Sequence, residues 1–445
     1  MLAIIEIVVI SYRLKHKKSI HQKYLLVGSQ TFTPKNMHAF IISDVLPDIK
    51  YTGGQVLFKI LENLPEFEFS IVWINQWNLP YSDSLPRNSK VTSAYDFEPS
   101  NFTKLLQRSI DRLGSIKIFR PVSIIFRGCV YYSRLLAISL KLCALIRLKN
   151  PDLVWMVLQG DKLAIIYKII IFLNRDKIYL LHQWDPISWW LSSKKRPTWF
   201  IGLISSLVGG LEKKASLNIV PSKAWAHKLV RENKMAYAID NFFEDASFIY
   251  PYTNYHNPGV LNVVFIGQRY ADNELIDIGG VLRSFEVSCK CKVLVHYFGS
   301  SPLTDLAGVE VVSHGYLDPN QLVQEISIFD LALLPYPTDP QNKETVALSF
   351  PSKCRQYLIS GLPILSLAPI ESGVHQFLDQ NLSHNAYFNI YQNSNPDNFI
   401  ADITNLSFQN RQRLHSEIKD VARRNFSEST EMRPLQTMLN ELLQL

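Results

Sequence analysis

Two α/β domains, each a parallel β-sheet covered by helices, are the fold class this sequence predicts, on three observations. A chain of 445 residues is too long for one compact core. Short apolar strand patterns alternate with amphipathic helical patterns in two successive blocks, the signature of parallel sheets. Between the blocks lies Tyr250–Gly259, where Pro251 and Pro258 stand among aromatic and polar residues as a linker. Each domain is therefore expected to be Rossmann-like. The predicted organisation is an N-terminal extension over 1–36, a first domain over 37–245, a second over 246–425 and a closing helix over 426–445 that packs back on the first domain.

In the first block, strands are expected at His38–Ser43, Phe69–Ile74, Leu153–Leu158, Ile178–His182 and Leu217–Val220, with a helix opening at Gly53–Gly54. In the second, strands fall at Leu261–Gly267, Val293–Gly299, Val309–Val312, Leu331–Leu334 and Pro363–Leu367, with a helix over Asn320–Phe329. Hydrophobic residues make up 47% of the chain against 19% charged, which excludes a disordered protein. The mean hydropathy of +0.01 is high for a soluble chain, yet no run long enough to span a bilayer is expected. Met1–Tyr12 is apolar and precedes Arg13, Lys15, Lys17 and Lys18, the reverse of a signal peptide. It reads either as a segment touching a membrane or as an ordinary first element. Five cysteines without disulfide or zinc spacing suit a reducing, cytoplasmic setting. A net charge of +7 favours anionic partners, and the absence of nucleic-acid-binding motifs leaves nucleotide or phospholipid ahead of nucleic acid.

The stretch Glu344–Pro363, ETVALSFPSKCRQYLISGLP, carries the strongest functional signal. Pro351 suits the first position of a helix that ends at Gly361. The free N–H groups of that helix start, with Lys353 in its first turn, make an anion site of the kind a diphosphate needs. The same spacing is also that of a surface lysine on an ordinary helix.

Phe350-Pro-Ser-Lys-x-x-x-Tyr-Leu-x-x-Gly-x-Pro resembles the donor motif of GT-B glycosyltransferases that build polysaccharides and glycolipids. The resemblance runs loosely through the first half and closely through the second. It implies a nucleotide diphosphate sugar (a UDP- or GDP-sugar) as co-substrate, a saccharide or lipid-linked acceptor, no further cofactor and no catalytic metal. By that resemblance Lys353 meets the pyrophosphate, and Ser352 before it is a donor-binding residue. Gln356 stands where a ribose-binding Glu is usual, a form similar to xanthan-type glucuronosyltransferases. Glu344 is a candidate substitute carboxylate. Arg269, after the strand Val263–Gly267, is expected on the donor phosphates, and Tyr316, in VVSHGY, beside the base. Asn241 and Phe242 replace the usual Asn-Gly at the end of the first domain.

In the first domain, Tyr51–Gln55 (YTGGQ) places Gly53 and Gly54 between strand and helix, where a missing Cβ lets the backbone approach a ligand. LHQWDPISWW puts His182 and Asp185 at a strand's carboxyl edge, where ligands of parallel sheets bind. His182 is expected to contact sugar or acceptor, and Asp185 to act as base in an inverting reaction. Two alternatives belong to other classes: a sugar-nucleotide epimerase on the same fold, and a non-catalytic nucleotide-sugar-binding subunit. Arg120, Arg127, Arg134 and Lys141 recur every seven residues along an apolar stretch, and Trp189, Trp190, Lys194, Lys195, Arg196 and Trp199 form a second cluster. Both fit peripheral attachment to an anionic membrane surface; a core helix with a solvated basic edge fits the first equally.

Overall fold

The computed structural model describes residues 37–48, 52–75, 84–96, 120–239, 242–244, 247, 259–304, 306–317, 319–393 and 395–444. The linker Tyr250–Gly259 falls almost wholly outside them, as do the extension over 1–36 and Asn241.

The first domain holds β1 (Met37–Ser43), α1 (Thr52–Glu62), β2 (Phe67–Asn75), β3 (Ser89–Asp96), α2 (Arg120–Lys149), β4 (Leu153–Leu158), α3 (Asp161–Leu173) and β5 (Ile178–Gln183). It continues through α4 (Ile187–Ser193), α5 (Thr198–Glu212), β6 (Leu217–Val220), α6 (Lys223–Arg231) and β7 (Ala236–Ala238). Its sheet runs β3-β2-β1-β4-β5-β6-β7, every neighbour parallel.

The second domain begins with β8 (Val260–Ile266), α7 (Asp272–Cys289), β9 (Lys292–Phe298), β10 (Glu310–Ser313), α8 (Pro319–Ile326) and β11 (Leu331–Pro335). Then follow α9 (Lys343–Leu348), α10 (Ser352–Ile359), β12 (Ile364–Leu367), α11 (Gly373–Asn381), β13 (Tyr387–Asn389), α12 (Asp397–Asn405) and α13 (Phe408–Phe426). The sheet order is β10-β9-β8-β11-β12-β13, again all parallel. Both orders reverse direction once, between β1 and β4 and between β8 and β11, and crevices for ligands open at such switch points beyond the strands' carboxyl ends.

The strands are near-continuous apolar runs because helices cover both faces. Val154, Met156 and Leu181 pack beneath α2, α3 and α5, while Trp155, Val157 and Leu180 pack with α1 on the opposite face. The last described helix, α14 (Glu428–Gln444), contributes Met432, Leu435 and Leu439 to that second layer and so packs back on the first domain.

Several contacts among the described residues tie the domains together. Phe243 and Ser427 form a parallel bridge where the two crossings of the chain meet. Arg355 donates to the Pro221 carbonyl at 2.9 Å, its guanidinium lying 5.2 Å from the Phe350 ring and 4.8 Å from the Phe426 ring. Ser222 donates to the Leu348 carbonyl beside an apolar cluster of Val220, Trp225, Leu229 and Leu348.

One expectation is corrected here. Within α2, Gly128–Lys149 is long and apolar enough to cross a membrane by length and composition. Its Leu135, Leu142, Cys143 and Ile146 are nonetheless fully buried in the first domain's core. Arg134 is half-buried and Lys141 exposed, 6.0 Å from the Tyr95 ring. The side chains of Arg120 and Arg127 lie outside the described residues.

Candidate active site

The carboxyl ends of the two sheets border a cavity of about 590 Å3. The first domain lines it with Val45, Gly53, Gln159, Trp184, Asp185 and Trp189; the second with Gln268, Tyr270, Tyr336, Phe350, Ser352 and Lys353. Asp185 and Lys353 are the one carboxylate and the one cation among its described lining residues.

Lys353 owes its position to α10. Pro351 precedes the helix with extended backbone (φ −69°, ψ 131°), so the helix starts one residue later than expected, at Ser352, and no side chain caps its first N–H groups. At the other end Gly361 adopts φ +72°, with Gly361 N–H bonded to the Leu358 carbonyl and Leu362 N–H to the Tyr357 carbonyl, both at 3.0 Å. This closing motif needs a residue free of the left-handed penalty, which explains the glycine. Lys353 is 5% exposed. Its ammonium sits 4.5 Å from the Phe265 ring and 4.4 Å from the Tyr270 ring, and donates to the Gln268 carbonyl at 3.1 Å. Burial without a carboxylate beside it pulls its pKa down to about 7. An anion in the cavity would supply the missing counter-charge.

Gly267, at φ +80°, turns the chain after β8 and brings Gln268 and Tyr270 to the cavity. Arg269, between them, points elsewhere: it donates to Asp272 at 2.9 Å and to the Pro302 carbonyl at 2.9 Å. It is not among the residues that line the cavity. Glu344 also stands off the cavity lining and pairs with Lys228 of the first domain at 2.7 Å on the surface. Tyr316 is 69% exposed after β10, and Gln356 is half-buried one turn beyond Lys353; neither lines the cavity.

On the first domain, Gly53 faces the cavity and seats the Trp184 indole so closely that a Cβ there would lie 2.5 Å from the ring. Gly54 serves the backbone instead: a Cβ would come 2.6 Å from the Leu46 carbonyl, and Gly54 accepts from Asp48 N–H at 3.2 Å.

Asp185 lines the cavity, but His182 does not. His182 is 1% exposed, with the Trp155 ring 6.2 Å away and the Trp184 ring edge-on at 6.0 Å. Its Nδ1 has no hydrogen-bond partner, and burial lowers its pKa to about 3. So weak a base cannot take a proton near neutral pH. The physical reason is the strand's period of two, which puts Leu180, His182 and Trp184 on one side, with Trp184 closing over His182.

Sequence reasoning missed Gln159, Trp184, Gln268, Tyr270 and Tyr336 as lining residues. Tyr336 is held by a hydrogen bond between its hydroxyl and that of Ser349. The Trp residues flanking Asp185 were the one available signal.

No family model matches the chain, and no curated relative does. Among solved structures, the Candida albicans trehalose-6-phosphate phosphatase N-terminal domain aligns at a TM-score of 0.58 and 10% identity, covering 94% of this chain and 99% of that one. An α,α-trehalose-phosphate synthase (UDP-forming) from Burkholderia vietnamiensis aligns at 0.55 and 12%, covering 92% and 100%. A third, trehalose-6-phosphate from E. coli bound with UDP-2-fluoro glucose, aligns at 0.56 and 11%, covering 92% and 99%. Likeness at such identities defines the fold: two parallel-sheet domains in the GT-B arrangement.

Proposed function

We propose that this protein is a glycosyltransferase that moves a sugar from a nucleotide diphosphate sugar to a hydroxyl acceptor in polysaccharide or glycoconjugate synthesis. The observation that carries the reading is Lys353, a buried cation without a carboxylate at an uncapped helix start, on the wall of a cavity between two sheet edges. Such a cavity asks for an anion with a body to fill the remaining space. A nucleotide diphosphate sugar has both, and one GT-B structural relative is bound with UDP-2-fluoro glucose.

In the proposed reaction the bond between the sugar's anomeric carbon and the diphosphate oxygen breaks, and the acceptor oxygen forms its bond to that carbon. Lys353 and the helix N–H groups stabilise charge on the leaving diphosphate. Asp185, the cavity's one described carboxylate, takes the acceptor's proton. Trp184, Trp189, Tyr270 and Tyr336 offer flat apolar faces to the sugars and keep water out. A cytoplasmic setting, with all five cysteines free, suits a nucleotide-sugar donor.

A thermal-shift panel of UDP-, GDP-, TDP- and ADP-sugars tests the reading. One nucleotide class is expected to raise Tm, and Lys353→Ala to weaken that binding about ten- to a hundredfold while the fold stays intact. A flat response to the whole panel, or an unchanged response in Lys353→Ala, would overturn it.

A further inference from the structure

The α4–α5 hairpin of the first domain presents a surface that the cavity chemistry does not use. Its turn carries three consecutive exposed cations, Lys194, Lys195 and Arg196, none in an ion pair among the described residues. The turn is built to hold that shape: Lys195 adopts φ +53°, its N–H bonds the Ser192 carbonyl at 2.8 Å, and Arg196 N–H bonds the Leu191 carbonyl at 3.1 Å. Immediately beyond, α5 exposes Trp199 at 72% and Leu203 at 43%, four residues apart and therefore on one helix face. The opposite face is anchored, with Ile204, Val208 and Leu211 buried in the core. Large apolar side chains are thus held outward on a rigid helix beside a positive turn.

We infer that this hairpin is a docking surface for an anionic lipid bilayer. Trp199 and Leu203 enter the headgroup boundary, where an indole places its ring in an apolar layer and its N–H in a polar one, while the three cations meet lipid phosphates. Charge complementarity with an anionic leaflet selects this occupant: an acidic protein would also answer the cations, but a flat bilayer engages an outward Trp and Leu without a matching pocket. The placement bears on the cavity as well. Trp189 lines the cavity and lies on α4 five residues before Lys194, about 8 Å along the chain axis. A bound membrane would lie next to the cavity's first-domain wall, where a hydroxyl acceptor anchored in lipid can reach it. The docking itself does not depend on the proposed transfer reaction.

Co-sedimentation of the full chain with vesicles tests this, using phosphatidylcholine alone and phosphatidylcholine with 30% phosphatidylglycerol, in low and high salt. Binding is expected only to the anionic vesicles and is lost as salt rises. A Lys194→Glu, Lys195→Glu, Arg196→Glu variant should bind at least about a hundredfold more weakly. Trp199→Ser with Leu203→Ser should weaken binding while leaving its salt dependence in place, and both variants should keep the wild-type Tm because these side chains are exposed. Three results would overturn the proposal: no binding to anionic vesicles, equal binding to neutral ones, or full binding by both variants, which would put the contact elsewhere on the chain.

Discussion

The two walls of the cavity are built on the same βα plan and carry opposite chemistry. The second domain supplies Lys353, caged between Phe265 and Tyr270 and held by a single carbonyl. The first supplies Asp185 on a wall otherwise made of Val45, Gly53, Val56, Gln159, Pro221 and two indoles. A parallel sheet offers strand ends and helix starts to both walls alike, so the fold does not decide which charge appears where. The residue types at those ends do. The cationic wall suits a leaving diphosphate, and the wall with the carboxylate suits a hydroxyl that must lose its proton. If that division is right, damage to one wall should impair binding and damage to the other should impair turnover.

The largest effect is expected from Asp185→Asn. The amide keeps the shape of the carboxylate but cannot accept a proton, so turnover should fall about 10²–10⁴-fold while donor affinity changes little. Steady-state kinetics beside nucleotide-sugar titration separate the two. A variant that turns over normally, or one that loses donor binding to the same degree, would break the comparison.

A smaller effect is expected from Gly53→Ala. Its Cβ would lie 2.5 Å from the Trp184 ring, so the indole must move off its seat over His182. Overpacking of this kind costs roughly 1–3 kcal/mol, read as a lower Tm. Donor affinity should persist because Lys353 lies on the other wall. An unchanged Tm would mean that the indole is not seated where the structure places it.

The two walls also differed in how far the sequence disclosed them. Ser352 and Lys353 sit in one unbroken motif, where proline, lysine and the terminal glycine each have a local reason, and that stretch alone predicts its helix to within two residues at either end. The strands Leu153–Leu158 and Leu217–Val220 were equally legible, because buried parallel strands are short continuous apolar runs. The first-domain wall is assembled from positions 45, 53, 56, 159, 184, 185, 189 and 221, which only the tertiary fold brings together. Strands β3, β7 and β13 escaped notice because edge strands are short or polar. His182 was misplaced for a simpler reason. A strand's end tells where a residue lies along the sheet, but not whether a later indole closes over it. The positions of Arg269 and Glu344 were no easier to read, since a neighbouring side chain of opposite charge pairs with each of them.

The most direct measurement of the central claim is proton uptake on nucleotide-sugar binding, read by calorimetry at pH 8 in two buffers of different ionisation enthalpy. Lys353 has a pKa near 7 in the free protein because burial disfavours its charge. At pH 8 it is therefore mostly neutral, and a diphosphate placed against it raises its pKa and draws a proton from solvent. The sugar-linked diphosphate has no group of its own that titrates near neutrality. The account predicts uptake approaching one proton per site, affinity that falls as pH rises through about 7, and the loss of both in Lys353→Ala. Binding with no proton exchange and the same affinity at pH 6 and pH 8 would contradict it.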